Sequence, residues 1–349
     1  MKDEILKSVA LDVTYKCNFR CLHCFNSSGE HHINRDELTD EQIINVATQI
    51  AGLNVETMCF CGGETLLRRD AICQATKKIR EKNQNINVNM VSNGYLMSQE
   101  VAKELKKSGV SLVQISLDGA KKDSYEWLRN MQGSYERAIN AIRCLIAEGF
   151  QVGVAFTPVR RNIDEIEEAI ELCAELGVSS FRVQPIMELG RARKIKDMFL
   201  DEKQYFKLSS KLKKFMNQYY GQMAIEWGDP VLHIVAARNN KVRVNFFNIT
   251  AYGDIGISPY LPVSFGNVKK HPLEEYINNG LLDVWNNFEF IKDLTESINS
   301  ATRLDVSKVN DNIPAIFTGN DFVIDLIEDD CQKKDLEFVT LIKKKGIVK

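Results

Sequence analysis

Apolar and polar positions alternate in short runs along the first half of the chain, and a stretch of helical period follows most of them. The runs are SVALDVTY (8–15), ETMCFC (56–61), INVNMVS (86–92), SLVQISL (111–117), QVGVAFT (151–157) and FRVQPI (181–186). Helical stretches lie at 39–52, around 69–83, and at 98–109, 134–149 and 164–177. Thr39 with Gln42 has the spacing of a capping box, and Ser98 can cap the third helix. Gly52, Gly109, Gly149 and Gly177 each stand where a helix should end in the left-handed conformation. Strands alternating with helices at this spacing predict an α/β fold of six parallel β/α units, as an open barrel or a doubly wound sheet.

The rhythm stops after residue 190. The segment 194–220 reads as helical, 243–260 as two strands around Tyr252-Gly253-Asp254, and 271–287 as helical with a break at Gly280. The last fifty residues carry a weak pattern. This organisation predicts a core at 1–190, a helical connection at 191–235 and a small α/β extension at 236–349.

Charge and composition narrow the function. A net charge of -2 gives no global basic field for nucleic acid or anionic lipid. No apolar run reaches the ~18 residues of a membrane helix, and the start MKDEILKS lacks a signal-peptide core. A cytoplasmic location with reduced thiols is therefore expected. The cysteines number nine, an odd count without disulfide-like spacing, so metal binding or catalysis outranks a disulfide framework.

Three of those cysteines, Cys17, Cys21 and Cys24, share the segment KCNFRCLHCFNSSG (16–29) with C-x3-C-x2-C spacing, directly after the first strand. Zinc with help from His23, His31 or His32 is one reading. An iron–sulfur cluster on three thiolates, with one iron left open for a ligand, is the other. The spacing resembles the signature of the radical S-adenosylmethionine (radical SAM) superfamily. That resemblance implies a partial (β/α)6 TIM-like barrel. It also implies one [4Fe–4S] cluster on Cys17, Cys21 and Cys24, with the amino and carboxylate groups of S-adenosylmethionine (SAM) on the fourth iron. Reductive cleavage of SAM would then release a 5′-deoxyadenosyl radical that abstracts hydrogen from a substrate, with His23 lying against the adenine.

Later strands end in segments that extend the resemblance. CGGET (61–65) resembles the Gly-Gly-Glu segment that binds the SAM amine, which assigns Gly62, Gly63 and Glu64, with Thr65 where proline is common. VSNGYL (91–96) resembles a (T/S)-N-G segment bordering SAM and assigns Ser92 and Asn93. ISLDG (115–119) places Ser116 and Asp118 on one side of the fourth strand, for the ribose or carboxylate. Arg129 matches an arginine that can meet the SAM carboxylate, although Ser124-Tyr125 and Asn130 depart from the family's His-Asp and glycine. Gln184 could face the lumen.

The segment 252–285 resembles a SPASM or twitch extension, with Gly253, Gly266-Asn267-Val268 and Trp285 in place. Ser258 and Tyr260 stand around Pro259 where cysteine would be expected. Beyond Cys173 only Cys331 follows, so a SPASM-like extension without an auxiliary cluster is expected, covering the barrel mouth. Cys59 and Cys61 share one face of the second strand. They are either small buried hydrophobes or, for Cys61, a hydrogen donor to a substrate radical. Glu226, Asp229 and His233, outside the barrel, are either a polar patch for substrate or a helix start at Asp229-Pro230 with surface residues around it.

The expected function is radical chemistry in peptide (RiPP-type) maturation. A flavodoxin or ferredoxin would serve as electron donor and a precursor peptide as partner. The first strand starts too early for a preceding peptide-binding domain, which weakens the peptide reading. Radical dehydrogenation, epimerisation or rearrangement of a sugar, amino acid or nucleoside is the alternative, and a structural metal-binding protein is the non-enzymatic one.

Overall fold

The computed structural model of the chain describes residues 6–31, 34–230, 232–240, 243–296 and 322–344. The six expected strands form: β1 Leu6–Asp12, β2 Val55–Cys61, β3 Asn87–Ser92, β4 Leu112–Ser116, β5 Gln151–Phe156 and β6 Ser180–Val183. Each pairs in parallel with the next. The helices between them are α1 Asp40–Ile50, α2 Arg69–Lys82, α3 Gln99–Ser108, α4 Lys122–Arg129, α5 Ser134–Ala147 and α6 Ile166–Leu176.

Alternation along the strands sorts the side chains onto two faces. Val9, Leu11, Met58, Phe60, Val88, Met90, Val113, Ile115, Phe181 and Val183 are closed off beneath the helices. Each contributes roughly 1.5–3 kcal/mol of burial. The opposite, lumenal positions carry Asp12, Cys59, Cys61, Asn89, Gln114, Ser116 and Arg182. One face of the sheet therefore holds the fold together, and the other is left polar.

Thr39 and Gln42 close the expected capping box, and the Ser98 side chain accepts from the Val101 amide. Gly109, Gly149 and Gly177 take positive φ, but Gly52 does not. Helix α1 ends on Ala51 in right-handed geometry, and a Cβ at Gly52 would meet Lys82 Nζ at 2.6 Å. Gly52 therefore supplies space rather than a left-handed turn.

One strand was not legible in the sequence, and the two expected within 243–260 form. Strand β7 (Ala224–Trp227) adds in parallel to β6, and β8 (Phe246–Ile249) adds in parallel to β1. Strand β9 (Ile255–Gly256) returns antiparallel to β8 across the expected turn. The sheet runs β7-β6-β5-β4-β3-β2-β1-β8-β9. Its two end strands are unpaired with each other, so the barrel is partial. Strand β7 is four residues long and lies where the β/α rhythm has stopped. Only the neighbouring edge of the sheet makes a strand of it. Among the described residues no helix is long and apolar enough to cross a membrane.

Candidate active site

The cysteine loop follows β1 and is tied from several sides. Arg20 donates to the carbonyls of Cys17, Phe19 and Gly29 at 2.7–2.9 Å. Arg191, just past β6, is buried and donates from Nε to the Cys21 carbonyl at 2.8 Å and from Nη1 to Ser28 O and Glu30 Oε2. Gly190 takes φ +53, and a Cβ there would lie 2.4 Å from the Phe25 carbonyl oxygen. The loop thus rests directly on the chain that leaves β6.

Each thiol has its own setting. Cys17 Sγ accepts from the Phe19 amide at 3.4 Å, and Cys24 Sγ donates to Asn26 Oδ1 at 3.1 Å. Cys21 Sγ accepts from Arg129 Nη1 at 3.8 Å. Burial pushes the Cys21 thiol up to about 12, with the Arg129 guanidinium pulling the other way. Among the described residues no three His, Cys, Asp or Glu side chains converge on a single ion. His31 turns instead toward Tyr252 and the Asn26 carbonyl. His32 lies outside the described residues.

Gly62 and Gly63 bring the end of β2 onto this loop. The Gly63 amide donates to Thr14 O at 2.7 Å and the Glu64 amide to Lys16 O at 3.0 Å. A Cβ at Gly62, which has φ +133, would lie 2.3 Å from Thr14 O. The glycines are thus required first by the protein's own backbone. Gly62→Ala should melt several degrees below wild type, losing more than about 2 kcal/mol. Gly133→Ala, at positive φ with nothing within 4 Å, should lose only about 1 kcal/mol. Thermal denaturation of both compares strain plus collision with strain alone.

Glu64 is fully buried. Its carboxylate accepts from Leu66 N, Ser92 Oγ and Asn93 N at 2.7–3.0 Å, and burial raises its pKa. It therefore locks the end of β2 to the end of β3, and three of its roughly four acceptor sites are already filled. Asn93 reaches on to Asn18 in the cysteine loop, Nδ2 to Oδ1 at 2.9 Å.

Beyond β4, Asp118 Oδ1 accepts from the Thr157 amide at 2.7 Å, and Oδ2 lies 2.5 Å from Arg129 Nη2 and 3.5 Å from His23 Nε2. Burial works against the Arg129 charge, but Asp118 and Cys21 outweigh it and hold the guanidinium protonated. Burial lowers His23 to about 4. Asn130 follows α4 with φ 51. Asparagine tolerates this left-handed geometry, which accounts for its standing where the family has glycine. Ser116 Oγ makes no hydrogen bond among the described residues.

The extension covers the lumen. Gln184 donates to Tyr260 OH at 2.8 Å, and Tyr260 packs edge-on against Phe25 of the cysteine loop at 5.2 Å. Cys61 Sγ donates to Cys59 Sγ at 3.5 Å, which places both thiols on the lumenal face. His233 faces Tyr260 and Phe246 rather than Glu226, which is exposed. Burial lowers His233 from 6.5 to about 4. Its neutral form is favoured in the fold, so this contribution is whole above pH 6.5 and is lost as pH falls toward 4. The gap in unfolding free energy between wild type and His233→Asn should therefore narrow over that window by about 3 kcal/mol, read by urea denaturation.

Three buried polar atoms in and around the cysteine loop lack hydrogen-bond partners: Asn18 Nδ2, His23 Nδ1 and Arg129 Nε. Such atoms are costly unless a ligand satisfies them. A ligand with amine, carboxylate and hydroxyl groups fits that lining, and three thiols on one loop fit an iron–sulfur cluster. Sequence reading missed the part that Asn18, Asn26, Arg191 and Tyr260 play in the site. Only the Gly190-Arg191 pair carried a signal, since an arginine beside a left-handed glycine marks a close approach of chains.

Comparison with known proteins agrees. The pattern of the Radical SAM superfamily matches residues 11–179. The AdoMet-dependent heme synthase of Methanosarcina barkeri is 24% identical over 306 residues, covering 82% of this chain and 84% of that protein. The sporulation killing factor maturation protein SkfB of Bacillus subtilis is 32% identical over 188 residues, covering 53% of this chain but 44% of its own length. Streptococcus suis SuiB bound to S-adenosylmethionine superposes with a TM-score of 0.66 at 16% identity, over 84% of this chain and 68% of that one.

Proposed function

Because this chain belongs to the radical SAM superfamily through its domain at residues 11–179, we propose that it is a SAM-cleaving enzyme of peptide maturation. Cys17, Cys21 and Cys24 would hold a [4Fe–4S] cluster. Gly62, Gly63, Glu64, Ser92 and Asn93 would border the SAM amine. His23 would lie against the adenine, with Ser116, Asp118, Arg129 and Gln184 toward the ribose and carboxylate. When bound, cluster and SAM supply a 5′-deoxyadenosyl radical that takes hydrogen from an unactivated carbon. The protein's own work is placement. Arg191 and Arg20 fix the loop backbone, Glu64 fixes two strand ends, and Tyr260 with Phe25 limits water at the barrel mouth. Cys61 lies on the lumenal face, where its thiol could return a hydrogen atom to a substrate radical.

The observation that carries the reading is the cysteine loop with its unpartnered buried polar atoms. SkfB, named for maturation, supports the peptide class. An external flavodoxin or ferredoxin would supply electrons. One observation favours a second reading: the relative matched over 84% of its own length is named for heme synthesis, which points to a small-molecule substrate.

The test is anaerobic reconstitution with iron and sulfide, then SAM and dithionite. Release of 5′-deoxyadenosine is expected; zinc content without SAM cleavage would refute the reading. With substrate in hand, Cys61→Ala should change turnover or product stereochemistry, and unchanged product removes Cys61 from the mechanism.

A further inference from the structure

The lumen holds a cation that nothing above uses. Arg182 sits on β6 between Phe181 and Val183, both fully buried on the helical face, so its own side chain takes the lumenal face. It donates no hydrogen bond and makes no ion pair among the described residues, and its Nε is buried without a partner. Glu226 is its register partner on β7, yet that carboxylate is exposed and forms no salt bridge with it. Arg182 is half-buried, and a guanidinium whose buried Nε has no acceptor is unfavourable.

The surroundings hold Arg182 in place. A Cβ at Gly228, just past β7, would lie 2.3 Å from Arg182 Nε and 3.0 Å from Cζ, so the guanidinium rests against glycine backbone. Two residues along, Gln184 turns its amide to Tyr260 OH at 2.8 Å. Tyr260 is packed between Phe25 and His233, and His233 Nε2 is a further buried atom without a partner. Nearby aromatic rings and a single guanidinium suit a monoanion with a planar fork better than a dianionic phosphate.

We propose that Arg182, with Tyr260 beside it, forms a lumenal subsite that binds a carboxylate of the substrate. The carboxylate would accept two parallel hydrogen bonds from the guanidinium and approach the Tyr260 hydroxyl. This rests on the enzymatic reading above and adds the substrate's chemical class: a group carrying one carboxylate, whether on a peptide or a small molecule.

The test uses the full chain without SAM or reductant, so its outcome does not depend on SAM cleavage. Sodium benzoate is titrated against melting temperature, with benzamide as the uncharged isostere and inorganic phosphate as the competing oxyanion. Saturable stabilisation by benzoate and none by benzamide is expected. Arg182→Gln should weaken benzoate at least tenfold, and Arg182→Lys should recover part of the loss. Gly228→Ala, which keeps the arginine but displaces it, should weaken benzoate too, and serves if the Arg182 variants do not fold. Glu226→Gln should leave benzoate affinity unchanged. Equal stabilisation of wild type and Arg182→Gln, or no stabilisation at all, overturns the subsite. Phosphate binding through Arg182 in preference to benzoate overturns the carboxylate assignment.

Discussion

A Cys21→Ala chain, reconstituted anaerobically with iron and sulfide, should show no thiolate–iron absorption in the visible and form no 5′-deoxyadenosine above background. Cys21 is 7% exposed, its carbonyl is held by Arg191, and its thiol faces Arg129. No other cysteine of the chain lies on that loop beyond Cys17 and Cys24, so nothing can take its place. The loop itself should persist, because Arg20 and Arg191 bind its backbone carbonyls rather than its thiols. Asn26→Ala removes the acceptor of the Cys24 thiol without removing a ligand. Its loss of activity should stay within the ~10–100-fold expected of outer-shell changes. A Cys21→Ala protein that retained cluster and turnover would place the cofactor elsewhere.

The second large effect concerns Arg129 and Asp118. Both are buried, and their charges lie 2.5 Å apart. Arg129→Met strands a buried carboxylate whose other oxygen is committed to Thr157 N. The cost should be about 3–5 kcal/mol, as for other broken buried pairs. Asp118→Asn with Arg129→Met should recover part of that loss, because no unpaired charge remains. Urea denaturation of the two single variants and the double variant closes the cycle. Single losses below about 1 kcal/mol would show that water already reaches the pair. The same variants should weaken SAM binding, since Arg129 Nε is among the unpartnered atoms of the site.

The β/α alternation was legible because each strand buries one face under a helix, and burial writes itself as period two followed by period 3.6. The cysteines and glycines were legible because their chemistry tolerates no substitute at those positions. What stayed hidden depends on contacts between distant segments. Helix α4 is only eight residues long and was readable only as a motif. Arg191 reaches the cysteine loop from the far side of the barrel. Glu64 was expected to grip an amine, and the carboxylate also binds Ser92 and Asn93, a role that needs β2 and β3 adjacent. Arg182 sat unremarked in a run of alternating residues, since nothing in the sequence says which strand face is empty.

Strand β8 hydrogen-bonds along β1, so residues Ser8–Leu11 meet Phe246–Ile249 from far along the sequence. During synthesis, the first strand has one open edge until that late segment leaves the ribosome. The β/α units can form locally and early, whereas this closing pair has high contact order and forms late. A fragment ending near residue 190 would therefore expose backbone donors and acceptors on β1 and on β6 alike, an invitation to pair with other chains. The cysteine loop emerges from that unprotected strand, so shielding it from misassembly falls to a segment made long after it.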